Sequence, residues 1–194
     1  MLKAARATVE IRTARMLLRP PIMADHLDWA RARKDNRAFI EPWEPVWATD
    51  HLTKNAFRNR VAWAKRSIRD GRALPLMMLR HDGRVIGAIT LDNIRRGPAQ
   101  MGTVGYWITE EHARQGLMTE ALSALVDHAF HRMDLSRIEA ACLPENAASR
   151  ALLERCGFKY EGVAQSYLQI AGRWRNHVLY AQLRNDRRGR TDAQ

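Results

Sequence analysis

Cysteine is scarce: Cys142 and Cys156 are the only two among 194 residues. They form no C-x-x-C, and no close histidine pair accompanies them, so neither a disulfide framework nor a metal site is expected. Both read as buried apolar thiols, in keeping with a reduced, cytoplasmic setting. Long apolar runs are also missing. None approaches the roughly 18 residues that cross a bilayer, which excludes a membrane span. The first fifteen residues are basic but lack the apolar centre and small-residue cleavage site of a signal peptide. Acid is in short supply too, with 21 Asp and Glu against 32 Lys and Arg, a formal net charge of +11. That excess suits a polyanionic partner such as nucleic acid, a ribosomal surface or a phosphorylated cofactor, and it also follows from an arginine-rich composition alone. No helix-turn-helix, zinc-finger or RNP pattern is present.

What is there is an ordinary globular composition, 46% hydrophobic, in a chain long enough for one domain. Residues 12–184 read as that domain, between an N-terminal tail, 1–11, and a basic C-terminal tail, 185–194. Met16 to Leu18 suggest a first strand, ended by Pro20 and Pro21. A helix follows, with Leu27, Ala30 and Arg31 at helical spacing. The stretch from Phe39 to Thr53 holds two prolines, Trp43 and Trp47, and reads as an ordered loop. Thr53 then caps a helix whose one face is Ala56, Phe57, Arg60, Val61, Ala64 and Ile68, closed by Asp70-Gly71.

Two strands flank His81-Asp82-Gly83, and a third runs to about Thr109. A long helix carries Leu117, Ala121, Leu122, Leu125, Val126, Ala129 and Phe130 at a 3.6 period, its pattern starting near His112. A strand over 137–143, a helix capped by Asn146 and ended by Gly157, and a hairpin turning at Ala171-Gly172 complete the domain. The expected fold is α/β (α+β): a mixed central sheet of about seven strands, one parallel pair within it, and helices on both faces.

The chemistry concentrates between Thr103 and Ala121. A strand runs into a basic, glycine-containing turn and a helix begins at once. First-turn amides of a helix lack partners, and the dipole there favours anions. Gly116 lets the backbone approach a phosphate, Arg114 adds charge, and Thr119 offers a hydroxyl. The P-loop and dinucleotide-binding glycine patterns are both absent.

This segment resembles motif A of the GNAT acetyltransferases, whose core is [Q/R]-x-x-G-x-[G/A]. Ala113 stands where Gln or Arg is usual, which removes a donor. Met118 stands where Gly or Ala is usual, which puts bulk beside the pyrophosphate. Pro144 to Ser149 followed by Leu152 to Phe158 resembles the family's N-x-x-S…L-x-x-x-G-F element, while the Gly116-Leu117-Met118 variant, Gly157 to Gly162 and the final hairpin from Tyr167 to Val178 resemble the RimJ/RimL branch. The likeness spans roughly residues 12–184.

The resemblance implies transfer of acetyl from acetyl-CoA to an amine, with no metal. The cosubstrate would wedge between the strands at 102–109 and 137–143, pairing with the backbone of Trp107 and Ile108. Amides of Arg114, Gln115, Gly116, Leu117, Met118 and Thr119 would hold the pyrophosphate, and Asn146 and Ser149 would face the pantetheine side. Many family members carry a tyrosine where Leu153 stands; Ser149 resembles the serine that serves as acid in the RimJ/RimL branch. Asp92, through water, is the expected base, with Glu41 and Glu44 as rivals. Trp43, Trp47 and Tyr106 would contact the substrate. Asn146 also reads as a plain helix cap, Asp92 as a turn former and the tryptophans as loop anchors.

Three functions compete. The first is an enzyme acetylating the α-amine of a protein N-terminus, such as a ribosomal-protein alanine, docking on the ribosomal particle through its positive charge. An α-amino group titrates about two units below lysine, so a weak base suffices for it. The second acts on a small amine, an aminoglycoside or polyamine. The third is a non-catalytic CoA- or RNA-binding module. Either a monomer or a homodimer is compatible with the resemblance.

Overall fold

The computed structural model describes residues 9–185; the tail segments 1–8 and 186–194 lie outside the described residues. The chain runs β1 (Ile11–Arg12), β2 (Met16–Arg19), α1 (His26–Asp35), α2 (Arg37–Ile40), α3 (Lys54–Arg69), β3 (Leu74–Arg80), β4 (Val85–Arg95) and β5 (Met101–Ile108). It continues α4 (Leu117–His131), β6 (Arg137–Cys142), α5 (Ala147–Arg155), β7 (Lys159–Ile170) and β8 (Arg173–Leu183). The strands form one sheet in the order β1-β2-β3-β4-β5-β6-β8-β7. Every neighbouring pair is antiparallel except β5 and β6. That parallel pair is joined through α4, as a crossover connection requires.

Local chemistry explains the elements. Thr53 Oγ1 accepts the Ala56 amide at 3.2 Å and starts α3; Asn146 Oδ1 accepts the Ser149 amide at 3.0 Å and starts α5. These side chains satisfy donors that the first helical turn leaves open. Ala171 and Gly172 both adopt positive φ, 47° and 78°, as a two-residue hairpin turn demands.

Two apolar clusters cover opposite faces of the sheet. The larger joins Leu117, Met118, Leu122, Leu125 and Phe130 of α4 and Leu153 of α5 to β2–β6 and β8. Leu122 and Leu125 are almost fully buried, and burying each such side chain stabilises by about 1.5–3 kcal/mol. The smaller cluster packs Trp29, Phe57 and Val61 from α1 and α3 on Met77, Leu79 and Val85. The mixed sheet with helices on both faces is therefore present.

Three expectations need correction. The sheet has eight strands, not seven: β1 is two residues long and pairs Ile11 with Leu18 and Arg12 with Leu17. The long helix starts at Leu117 rather than near His112, because Arg114 and Gly116 adopt left-handed backbone and Glu110–His112 forms a separate 3-10 turn. On α1 the buried residues are Trp29 and Arg33, while Leu27 is exposed.

Candidate active site

The parallel strands part company early. β5 pairs with β6 at Met101, Gly102 and Thr103 only, although β5 continues to Ile108 and β6 to Cys142. Beyond Thr103 one edge of β5, including Tyr106, Trp107 and Ile108, is free of β6, while the other edge stays paired with β4 through Ile108. The result is a wedge whose closed end is Thr103 and whose mouth points to the start of α4.

At that mouth the chain forms an anion cradle. Among the described residues, none of the amides from Arg114 to Thr119 donates to a protein acceptor. Gly116 is the helix N-cap with φ 75°, a conformation glycine adopts without the steric cost of a Cβ. Unpaired amides at a helix start fit a pyrophosphate. Met118 does not crowd them: its side chain is buried in the main core, because side chains on the inner face of α4 point away from the cradle. That overturns the expectation of bulk beside the pyrophosphate. Ala113 lines a small cavity of about 220 Å³ with Phe39, Glu110 and Arg114. A larger polar cavity, about 440 Å³, lies between α1 and the Thr109–His112 turn and contains none of the expected reaction residues.

A residue that sequence patterns did not flag supports the cradle from behind. Arg15 Nη1 donates to Gln115 O at 2.9 Å, and its Nε lies 2.6 Å from Glu120 Oε2. Burial works against the Glu120 charge, yet hydrogen bonds from Thr13 and Arg15 hold its carboxyl below the ordinary range.

Side chains alternate across β5, so its two faces differ. Tyr106 packs against the α4–α5 side and Trp107 against the α1–α3 side. On the first face the Tyr106 hydroxyl lies 2.7 Å from Ser149 Oγ. Burial pushes the nearby Cys142 thiol up, an effect the Ser149 hydroxyl partly offsets. Burial likewise raises Tyr106 well above its ordinary value, so the phenol stays protonated. Leu153, one turn along α5, is fully buried and offers no donor.

On the second face Arg33, only 4% exposed, sits between two indoles, 4.2 Å from the Trp47 ring and 4.9 Å from Trp107. Both its terminal nitrogens bond Glu44, Trp47 Nε1 donates to Glu44 Oε2 at 2.9 Å, and Ala171 of the final hairpin donates to Glu44 O. Trp47 is thus an anchored wall, while Trp43 is partly exposed. The structure brings Trp47 to Trp107 and sends Tyr106 to Ser149.

Asp92 lies in register with Thr103, at the closed end of the wedge. Strand alternation puts it on the Trp107 face, along with Ala88. Its Oδ1 accepts the Asn93 amide at 2.7 Å, as a strand-end turn former would. The rival carboxylates are more heavily engaged: Glu41 with Arg37, Glu44 with Arg33 and Trp47.

A parallel pair that splays beside an anion-binding helix start is the geometry of a CoA-type acyltransferase. A sequence model described as the acetyltransferase (GNAT) domain matches residues 15–159. The probable N-acetyltransferase YjcK of Bacillus subtilis (strain 168) is 34% identical over 170 residues, covering 87% of this chain and 94% of its own. The ribosomal protein uS5-alanine N-acetyltransferase of Escherichia coli (strain K12) is 34% identical over 176 residues, 89% of this chain and 90% of its own. Mycobacterium smegmatis RimJ, solved in complex with CoA-disulfide, superposes with a TM-score of 0.85 at 33% identity, covering 91% of this chain and 87% of that one. The chain belongs to the GNAT family of acetyltransferases, in its RimJ/RimL branch, and is an N-acetyltransferase. Among the described residues, no helix is long and apolar enough to cross a membrane.

Proposed function

We propose that this chain acetylates the N-terminal α-amine of a protein, a ribosomal-protein alanine in the first instance, with acetyl-CoA as donor. The observation that carries the donor is the run of unpaired amides from Arg114 to Thr119 at the mouth of the wedge. The acceptor rests on likeness to the uS5-alanine N-acetyltransferase. When bound, acetyl-CoA supplies the activated thioester. The amides of Arg114, Gln115, Gly116, Leu117, Met118 and Thr119 hold its pyrophosphate. Backbone groups of Trp107 and Ile108 and the side of α5 near Asn146 and Ser149 hold the pantetheine arm.

The two faces of β5 divide the proton work. Asp92, on the Trp107 face, receives a proton from the acceptor amine through water. Ser149 Oγ, on the other, donates a hydrogen bond to the leaving sulfur. Trp43, Trp47 and the tip of the final hairpin wall the acceptor. An α-amine, neutral in useful proportion near pH 7–8, needs only such a weak base. α3 offers a docking face for a ribosomal particle: Lys54, Arg58, Lys65, Arg66 and Arg69 lie on it with no acid between Lys54 and Arg69.

Calorimetry with acetyl-CoA, desulfo-CoA and ATP at moderate salt tests the donor. Saturable binding of acetyl-CoA that ATP does not mimic is expected. Equal, salt-abolished binding of all three would leave only a basic turn. Acetylation of peptides beginning with alanine, against an aminoglycoside, a polyamine and an internal lysine, then tests the acceptor. Preference for either small amine would overturn the protein N-terminus.

A further inference from the structure

Resting on that reading of Ser149, we infer that Tyr106 is a positioning residue for the leaving-group step: its hydroxyl donates to Ser149 Oγ and so turns the serine proton toward the departing sulfur. Serine has one O–H and two lone pairs. If Ser149 gave its proton to Tyr106, nothing would remain for sulfur. If Tyr106 donates instead, the serine proton is free. Either hydroxyl can donate across this contact; burial keeps the Tyr106 phenol protonated, so it has a proton to give.

The surroundings fit. The pair spans the site from β5 to α5 at 2.7 Å. Ser149 is fixed at the first turn of α5, its amide held by Asn146 at 3.0 Å. Leu153, one turn further along α5, is apolar and fully buried and donates nothing. No covalent change to Tyr106 or Ser149 is needed. The nitrogen–carbon bond forms, the carbon–sulfur bond breaks, and the electron pair left on sulfur is met by the Ser149 hydrogen bond while the amine proton leaves through Asp92 and water.

The test is a double-mutant cycle of Tyr106→Phe and Ser149→Ala, read by steady-state kinetics and by calorimetry with CoA and desulfo-CoA above the thiol pKa. Phenylalanine keeps the packing and removes only the hydroxyl. Each single variant is expected to lower kcat roughly 10- to 100-fold, the worth of a hydrogen bond to a charged atom, with KM for acetyl-CoA unchanged. The double variant should be no slower than Ser149→Ala alone. Both singles should lose the preference for CoA over desulfo-CoA to the same extent. Wild-type kcat in Tyr106→Phe, or losses that multiply in the double variant, would overturn the role while leaving the acetyltransferase reading intact. A wild-type chain that binds CoA and acetylates no amine would overturn both.

Discussion

Arg15 and Glu120, 105 residues apart in sequence, meet at 2.6 Å behind the cradle, and Arg15 also holds the Gln115 carbonyl. A bare carbonyl beside the amides would repel phosphate; the Arg15 hydrogen bond engages this one. Arg15→Ala is therefore expected to weaken acetyl-CoA binding about 3- to 10-fold, because one hydrogen bond and one half-exposed ion pair are lost. The urea midpoint should move little, since the Arg15 side chain is half exposed. Calorimetry beside a urea melt separates the two effects, and an unchanged dissociation constant would refute the role.

Gly116 makes a sharper case. Its φ of 75° is held in a left-handed turn, and an added Cβ would sit 3.4 Å from Arg15 Nη2. That space is tolerable, so the cost of Gly116→Ala lies in the backbone, about 1–2 kcal/mol. The variant should fold with a lowered melting temperature and bind acetyl-CoA more weakly than wild type. Full retention of both would mean the turn relaxes without penalty.

Elements with a local cause were readable in advance: the hairpin turns at Asp82-Gly83 and Ala171-Gly172, the caps Thr53 and Asn146, and the apolar stripe of α4. Each depends on residues within a turn of one another. What escaped depends on residues far apart. Ser149 and Tyr106 are separated by 43 positions, so the serine was readable from its motif but its partner was not. Arg33 carries no sequence signal for burial; the indoles of Trp47 and Trp107 and the Glu44 carboxylate, all distant in sequence, make its burial affordable. β1 was too short to show an alternating pattern. Met118 lies four residues before Leu122 on the buried stripe of α4, a phase that the family motif alone does not carry.

The Arg33–Glu44 pair ties the tryptophan loop to the wedge and, through Glu44 O, to the final hairpin. Removing one partner of a buried pair leaves an uncompensated charge, at a cost of about 3 kcal/mol or more. Glu44 retains some exposure, so Arg33→Met should fall at the low end of that range. Pairing it with Glu44→Gln removes the stranded charge and should recover part of the loss. Urea denaturation of the wild type, both singles and the double gives the coupling directly. Strict additivity would show that the pair contributes nothing to holding the loop.

His51 adds a pH dependence to the same cluster. Its ring stacks on Trp47 at 4.8 Å, and Nε2 lies 3.3 Å from an Arg33 nitrogen. Burial, then the positive charges of Arg33 and Arg60, lower its pKa to about 4. The folded state thus prefers the neutral ring. Above the ordinary histidine value near 6.5, neither folded nor unfolded chain takes up the proton, and His51 adds no slope. As pH falls from there toward 4, the unfolded chain binds a proton that the folded chain refuses, so stability drops; below 4 the loss levels off. Urea midpoints at about pH 7 and about pH 5 should therefore differ more for wild type than for His51→Gln, which cannot titrate. An NMR titration of the ring with a midpoint near 6.5, or identical pH slopes for the two proteins, would show that Arg33 and burial do not hold His51 neutral.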